Sequence, residues 1–194
     1  GQLVLALAQG LLLQLALAVI GEEQAACPAG EEQRTDNSEG QGGVSMSDLV
    51  RRTLRQNPDR VIVGETLGPE IIDLLNAIGQ GNDGSFSTIH ARTAREVFTR
   101  IATYAIESEA KLPTEASYRL IAGGLDFVVY ISRHPVTGKR RLDSILEVNG
   151  YDEGVVLASE IFQLGEGEKA DFTGTLPQRL PQLKAAGWAP PGSW

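Results

Sequence analysis

Three features of the sequence predict an α/β fold with a β-rich C-terminal part. Between residues 59 and 131, short apolar runs rich in β-branched residues alternate with segments of helical periodicity, as strands and helices layered on one sheet do. Beyond residue 140 the period drops to two, and RRLDSILEV and GVVLASEIF alternate polar with apolar residues like an antiparallel hairpin. At 194 residues, 42% hydrophobic and 22% charged, the chain is long enough to bury a sizeable core.

Taken in order, residues 1–20, GQLVLALAQGLLLQLALAVI, carry no charge and have the length of a membrane span, although three glutamines and two glycines argue against one. No basic n-region or clear cleavage site marks a signal peptide. A buried or irregular helix is the alternative. The chain opens on Gly1 rather than Met and is read as a piece of a longer product. Residues 21–43, dense in Glu, Gln, Gly and Asn, read as a linker. Ser47 is expected to cap a helix through SDLVRRTLRQN that stops before Pro58, which places Arg51 and Arg55 one turn apart on one face.

RVIVG then reads as a fully buried strand ending at Gly64-Glu65. Pro69 opens a helix whose apolar face is Ile71, Ile72, Leu74, Leu75 and Ile78, ending at Gly79. After GQGND, SFSTIH forms a second strand ending at His90. Thr93 and Glu96 have capping-box spacing before a helix with a core stripe of Val97, Ile101 and Ala105, flanked by Phe98 and Tyr104 and broken by Pro113. A helix over Thr114–Ala122 leads to the strand DFVVYI. The hairpin that follows is expected to turn at Asn149-Gly150. The last thirty residues, holding Pro177, Pro181, Pro190 and Pro191, read as peripheral.

A net charge of −8 and a pI near 4.8 oppose a nucleic-acid partner, which would need clustered Lys and Arg. The nearest cluster, Lys139 to Arg141, reads as a solvated hairpin tip. Cys27 is the only cysteine, so no intrachain disulfide can form, in keeping with a reducing compartment. With Cys27 and His134 at no useful spacing from His90, a metal site is not expected.

In open α/β sheets ligands bind beyond the carboxyl ends of strands, where Glu65 and His90 each stand. A carboxylate there can hold a water as base, or act as an outer ligand of Mg²⁺; equally, Glu65 could be a helix-entry residue favoured by the helix dipole. His90 could contact phosphate or be a satisfied structural residue. Arg51 and Arg55 could grip phosphate oxygens or face solvent. A phosphate-cradling G-x-x-x-x-G-K-[ST] run occurs nowhere, and the one Gly-Lys pair, Gly138-Lys139, is followed by Arg140. No serine or cysteine nucleophile lies at motif spacing from Glu65 and His90, which argues against a hydrolase built on those two alone.

Two arginines on a helix, then NPDRVIVGE, a helix, GNDGSFSTIHA and a helix near AREVFTRI occur here in that order. LPTEASYRLIAGGLDFVVYISR and SILEVNG follow. In these residues the chain resembles the secretion and pilus-assembly ATPases of bacterial type II and type IV systems, most closely the branch that drives tight-adherence (Flp) pili. The resemblance covers about residues 37–162, leaving an irregular N-terminal segment over 1–36 and a Pro-containing tail over 163–194.

It implies a RecA-like P-loop NTPase core, here partial because the phosphate loop is missing, with a C-terminal β-hairpin extension. It further implies ATP and Mg²⁺ as cofactors of the intact family protein, a homo-hexameric ring, inner-membrane platform proteins as partners, and a cytoplasmic place at that membrane. Glu65 matches the family's Walker B glutamate, which polarises the attacking water and helps place Mg²⁺ as an outer ligand. His90 matches the His-box histidine that relays nucleotide state, and Arg51 and Arg55 match arginines that reach toward phosphates. Leu67 stands where many relatives carry arginine, and Asn82 where many carry a first His-box histidine, a place from which its amide can still hydrogen-bond to nucleotide phosphate. The phosphate loop lies upstream of the matched region in the family, and residues 1–30, with Leu-Ala-Gln runs and ACPAGEEQ where relatives have a strand and an acidic motif, are expected to come from a truncated gene fragment with a frame-shifted start. The chain is then read either as the C-terminal half of a secretion ATPase, inactive alone, or as a non-catalytic module that docks on an ATPase ring or the membrane platform.

Overall fold

Apolar residues on both faces of one strand set the layering. In β4 (Phe127–Arg133), Val128 and Tyr130 pack into a large cluster with the helices, while Phe127, Val129 and Ile131 pack on the other face with Ile145 and Leu183. This computed structural model describes residues 3–7, 42–58, 60–81, 84–166 and 169–185, with residues 3–7 described as a strand and its pairing.

Its strands are β1 (Leu3–Leu7), β2 (Ile62–Val63), β3 (Phe86–His90), β4, β5 (Arg140–Asp152), β6 (Val155–Leu164) and β7 (Ala170–Phe172). They join one sheet in the order β2-β3-β1-β4-β5-β6-β7. β2 runs parallel to β3, with Ile62 opposite Phe86 and Val63 opposite Ser87. β1 runs antiparallel to both β3 and β4, so those two strands share a direction. The mixed α/β fold is therefore the one expected, with the β5–β6 hairpin as its extension.

The helices are α1 (Met46–Leu54), α2 (Glu70–Ile78), α3 (Glu96–Glu107), α4 (Thr114–Gly124) and α5 (Leu180–Ala185). Ile71, Leu74, Leu75 and Ile78 of α2, and Val97, Phe98 and Ile101 of α3, are buried in the large cluster, on the faces their periodicity marks. The backbone of α4 approaches α2 closely: a Cβ on Gly124 would stand 2.7 Å from the Leu75 carbonyl oxygen, so only glycine fits. Among the described residues no helix is long and apolar enough to cross a membrane.

Several elements differ from expectation, each for a local reason. Leu3–Leu7 is a strand, not part of a helix. A short apolar run does not distinguish the two by periodicity, and here β3 and β4 supply hydrogen-bond partners on both sides. The rest of the 1–20 stretch lies outside the described residues, as do Asp59 and Asn82. The α1 cap is Ser45 rather than Ser47: Ser45 Oγ accepts from the Asp48 amide at 3.1 Å, and the Asp48 carboxylate accepts from the Ser45 amide at 3.4 Å. Ser45 stands three residues before a carboxylate, and Ser47 does not.

The expected strand RVIVG narrows to a two-residue edge strand, and Ile62 is 52% exposed rather than buried. The hairpin turns at Glu153-Gly154, both with positive φ as a two-residue hairpin turn of the primed type requires, not at Asn149-Gly150. The Asn149 region is a β-bulge against β6, where the register shifts between Val148 and Gly150. The tail expected to be peripheral is joined to the sheet: β7 pairs with β6, and Leu183 of α5 is buried against Phe127 and Val129.

Candidate functional site

β2 and β3 are neighbours running in the same direction, so their carboxyl ends open on the same edge of the sheet. Glu65 follows β2 by two residues and His90 is the last residue of β3. The structure brings the two together: His90 Nε2 lies 2.8 Å from Glu65 Oε1, with the side chains 47% and 40% exposed. A pair this open contributes about 0–1 kcal/mol to stability, and both groups remain within reach of a ligand arriving from solvent.

Three hydroxyls tie together the strand ends that carry the pair, in a way that the sequence did not reveal. Thr88 Oγ1 donates to the Gly64 carbonyl at 2.6 Å, and the Thr88 carbonyl accepts from the Thr66 amide at 2.8 Å. Thr66 Oγ1 and Ser87 Oγ share a hydrogen bond of 2.6 Å, both residues being buried. The only signal in the sequence was Ser and Thr in alternation along SFSTIH, which reads equally well as ordinary strand composition. Beyond Thr66 the chain turns into α2 as Glu70 Oε1 accepts from the amides of Leu67 and Gly68 at 2.7 and 2.9 Å. Leu67 itself is 67% exposed.

The two arginines are not drawn to Glu65 and His90. Arg51 Nε donates to Asp73 Oδ1 of α2 at 3.0 Å, and this bond raises the affinity of its guanidinium for its proton. Arg55 is the C-cap of α1, exposed at the surface. On the far side of His90, the loop to α3 is pinned at Arg92: its amide donates to Glu96 Oε2 at 2.7 Å, and its carbonyl accepts from the Tyr130 hydroxyl. Thr93 Oγ1 accepts from the Glu96 amide at 3.2 Å, so the expected capping box closes on Arg92 rather than on Thr93.

The one Gly-Lys pair, Gly138-Lys139, lies in a turn closed on itself. The amides of Val136 and Thr137 donate to His134 Nδ1 at 3.2 and 3.1 Å, Gly138 to the His134 carbonyl at 2.9 Å, and Lys139 to Thr137 Oγ1 at 3.4 Å. Every main-chain donor of that turn is used internally, so it is not an anion-binding nest. The half-exposed carboxylate of Glu65 does suit a water or an outer-sphere contact to Mg²⁺. Among the described residues no group of three or more His, Cys, Asp or Glu is arranged to hold a metal ion directly.

Residues 19–134 match the type II/IV secretion system protein family. A Mycobacterium tuberculosis protein named for conjugal transfer is 34% identical over 138 residues, which are 71% of this chain and 38% of that protein. The conjugal transfer protein TrbB of Rhizobium radiobacter is 34% identical over 109 residues, 56% of this chain and 32% of that one. The crystal structure of the VirB11 ATPase from the Brucella suis type IV secretion system, in complex with sulphate, superposes with a TM-score of 0.51 at 28% identity, over 54% of this chain and 32% of that one. The chain thus spans less than two fifths of the length of each of these proteins.

Proposed function

Because this chain belongs to the type II/IV secretion system protein family, we propose that it is the hydrolytic side of a secretion or pilus-assembly ATPase and does not turn over ATP by itself. One observation carries the reading: Glu65 and His90 meet at 2.8 Å at the carboxyl ends of neighbouring parallel strands. In the complete enzyme the Glu65 carboxylate orients the attacking water by accepting its proton, and His90 Nε2–H donates to that carboxylate and ties its position to the end of β3. ATP and Mg²⁺ supply the phosphoryl group and its charge compensation. In the complete enzyme the cradle for the phosphates comes from a G-x-x-x-x-G-K-[ST] run, which this sequence lacks, and the turn at Gly138-Lys139 uses its main-chain donors internally.

Within the family, the run NPDRVIVGE through GNDGSFSTIHA supports the tight-adherence pilus branch, with a hexameric ring working against an inner-membrane platform. The lack of a G-x-x-x-x-G-K-[ST] run in the sequence also favours a second reading, in which the chain docks on a complete ATPase ring and modulates it without turnover.

A chimera tests the proposal. Residues 42–194 are fused behind the upstream portion of a family member that carries G-x-x-x-x-G-K-[ST]. The fusion should hydrolyse ATP, and E65Q should lower its kcat by about 10²–10⁴-fold, the usual contribution of a positioned base. The unfused chain should give no calorimetric isotherm with Mg-ATP. A micromolar isotherm for the unfused chain, or an E65Q chimera at full rate, overturns the proposal. A chain that changes the rate of a full-length ring while binding no nucleotide establishes the docking reading instead.

A further inference from the structure

The structure assigns Thr88 as the positioning residue for the Glu65 carboxylate, an inference that rests on the role of Glu65 proposed above. Glu65 lies beyond the two-residue strand β2, so the sheet ladder does not hold it. The residue before it, Gly64, has no side chain, and nothing lies within 4 Å of where a Cβ would stand. A glycine followed by an acidic residue outside a ladder should be free to rotate.

What removes that freedom is one residue on β3. The Gly64 carbonyl belongs to the peptide plane on the amino side of Glu65, and the Thr66 amide to the plane on its carboxyl side. Thr88 binds both, its hydroxyl donating to the first at 2.6 Å and its carbonyl accepting from the second at 2.8 Å. Fixing two successive peptide planes fixes both backbone dihedrals of the residue between them, and hence the direction of its Cα–Cβ bond. The buried hydrogen bond between the Thr66 and Ser87 hydroxyls, at 2.6 Å, ties the side chain of Thr66 to the same strand.

Thr88 and His90 are two apart on one strand, so their side chains project from the same face. β3 therefore carries both the clamp that aims Glu65 and the imidazole that meets it. Thr88 makes no contact with the carboxylate itself. It acts through the backbone, and of its two bonds only the hydroxyl bond depends on the side chain. Serine retains that bond; valine and alanine lose it.

The chain has two histidines, so imidazole nitrogen spectra are simple enough to read directly. His90 Nε2 reports contact with Glu65, and His134 serves as the internal control. E65Q sets the size of the shift expected when the carboxylate is withdrawn. T88V should move the His90 Nε2 resonance most of the way to its E65Q position while leaving His134 unmoved, and T88S should keep it at the wild-type position. A purely structural threonine would lower the thermal midpoint without moving His90. If T88V fails to fold, T88A against T88S carries the same comparison. A folded T88V or T88A with the wild-type His90 resonance sinks the proposal, as does a T88S shifted as far as T88V or an E65Q that moves nothing. No nucleotide enters the measurement, so an inactive chimera leaves this result standing, and a failure here leaves the ATPase reading intact.

Discussion

Arg179 donates its main-chain N–H to Glu147 Oε1 at 2.9 Å and brings its guanidinium Nη1 to 3.5 Å from the same oxygen, although Glu147 is wholly buried. The other carboxylate oxygen accepts from the Gln178 amide at 2.7 Å and from Asn149 Nδ2 at 3.2 Å. Arg179 also pairs with Asp126 at 2.6 Å and donates to the Val148 carbonyl at 2.8 Å. A buried carboxylate is tolerated only when its lone pairs and charge are met, and here one residue of the C-terminal segment meets much of both.

Replacing Arg179 by methionine keeps the apolar stem and strands the charge of Glu147. Breaking a buried pair from one side costs about 3–5 kcal/mol, so R179M should unfold at markedly lower urea. Limited proteolysis should then cut preferentially in the segment between β7 and α5. Unchanged stability in R179M would show that the amides of Gln178 and Arg179 together with Asn149 Nδ2 satisfy Glu147.

At Tyr130 the prediction concerns pH. Burial is the main reason its hydroxyl ionises above the ordinary tyrosine value, and the charges of Asp143 and Glu96 push it further. A group whose folded value is raised favours the folded state fully below the unfolded value, about 10, and the advantage is lost as pH rises through the folded one. Wild-type stability should therefore fall above about pH 10 more steeply than that of Y130F. At neutral pH, Y130F should be less stable by about 1 kcal/mol, because the Arg92 carbonyl loses its hydroxyl donor. Urea midpoints of both proteins from pH 7 to 11 check both statements, and parallel profiles would refute the first.

How much of this was legible in the sequence follows from what each feature depends on. Glu65 and His90 could be placed because each ends a run that reads as a strand, and a strand end is a local property. Their meeting required β2 and β3 to be parallel neighbours, which the alternation of strands and helices already implied. Thr88 was hidden because threonine in a strand has an ordinary explanation in β-propensity, and its clamp is made to residues 24 and 22 positions earlier. The hairpin turn was misplaced because two Gly-containing pairs, Asn149-Gly150 and Glu153-Gly154, stand four residues apart. The tertiary bonds of Asn149 to Glu147 and Ser159 hold it within the strand. The C-terminal segment was read as peripheral because its attachment depends on Arg179 and Leu183 meeting residues far away in sequence. Proline content said nothing about those meetings.

The placement of β1 yields the last prediction. Leu3 stands opposite His90 and Ile131, and Leu7 opposite Phe86 and Phe127, so β1 runs against both of its neighbours. Its carboxyl end, at Leu7, thus lies at the opposite end of the strands from His90. The strand nevertheless completes the hydrogen bonding of β3 and β4, which have no ladder contact with each other. Leu5 is its midpoint, opposite Thr88 and Val129. Proline at that position removes an N–H and is poorly tolerated in an interior strand. Leaving a buried main-chain group unpaired costs about 1–3 kcal/mol, so L5P should lower amide-exchange protection at Ile89 and Val129 by about tenfold or more. L5V, which suits a strand, should leave that protection near the wild-type level. Full protection in L5P would mean that the slot between β3 and β4 is not held by this segment.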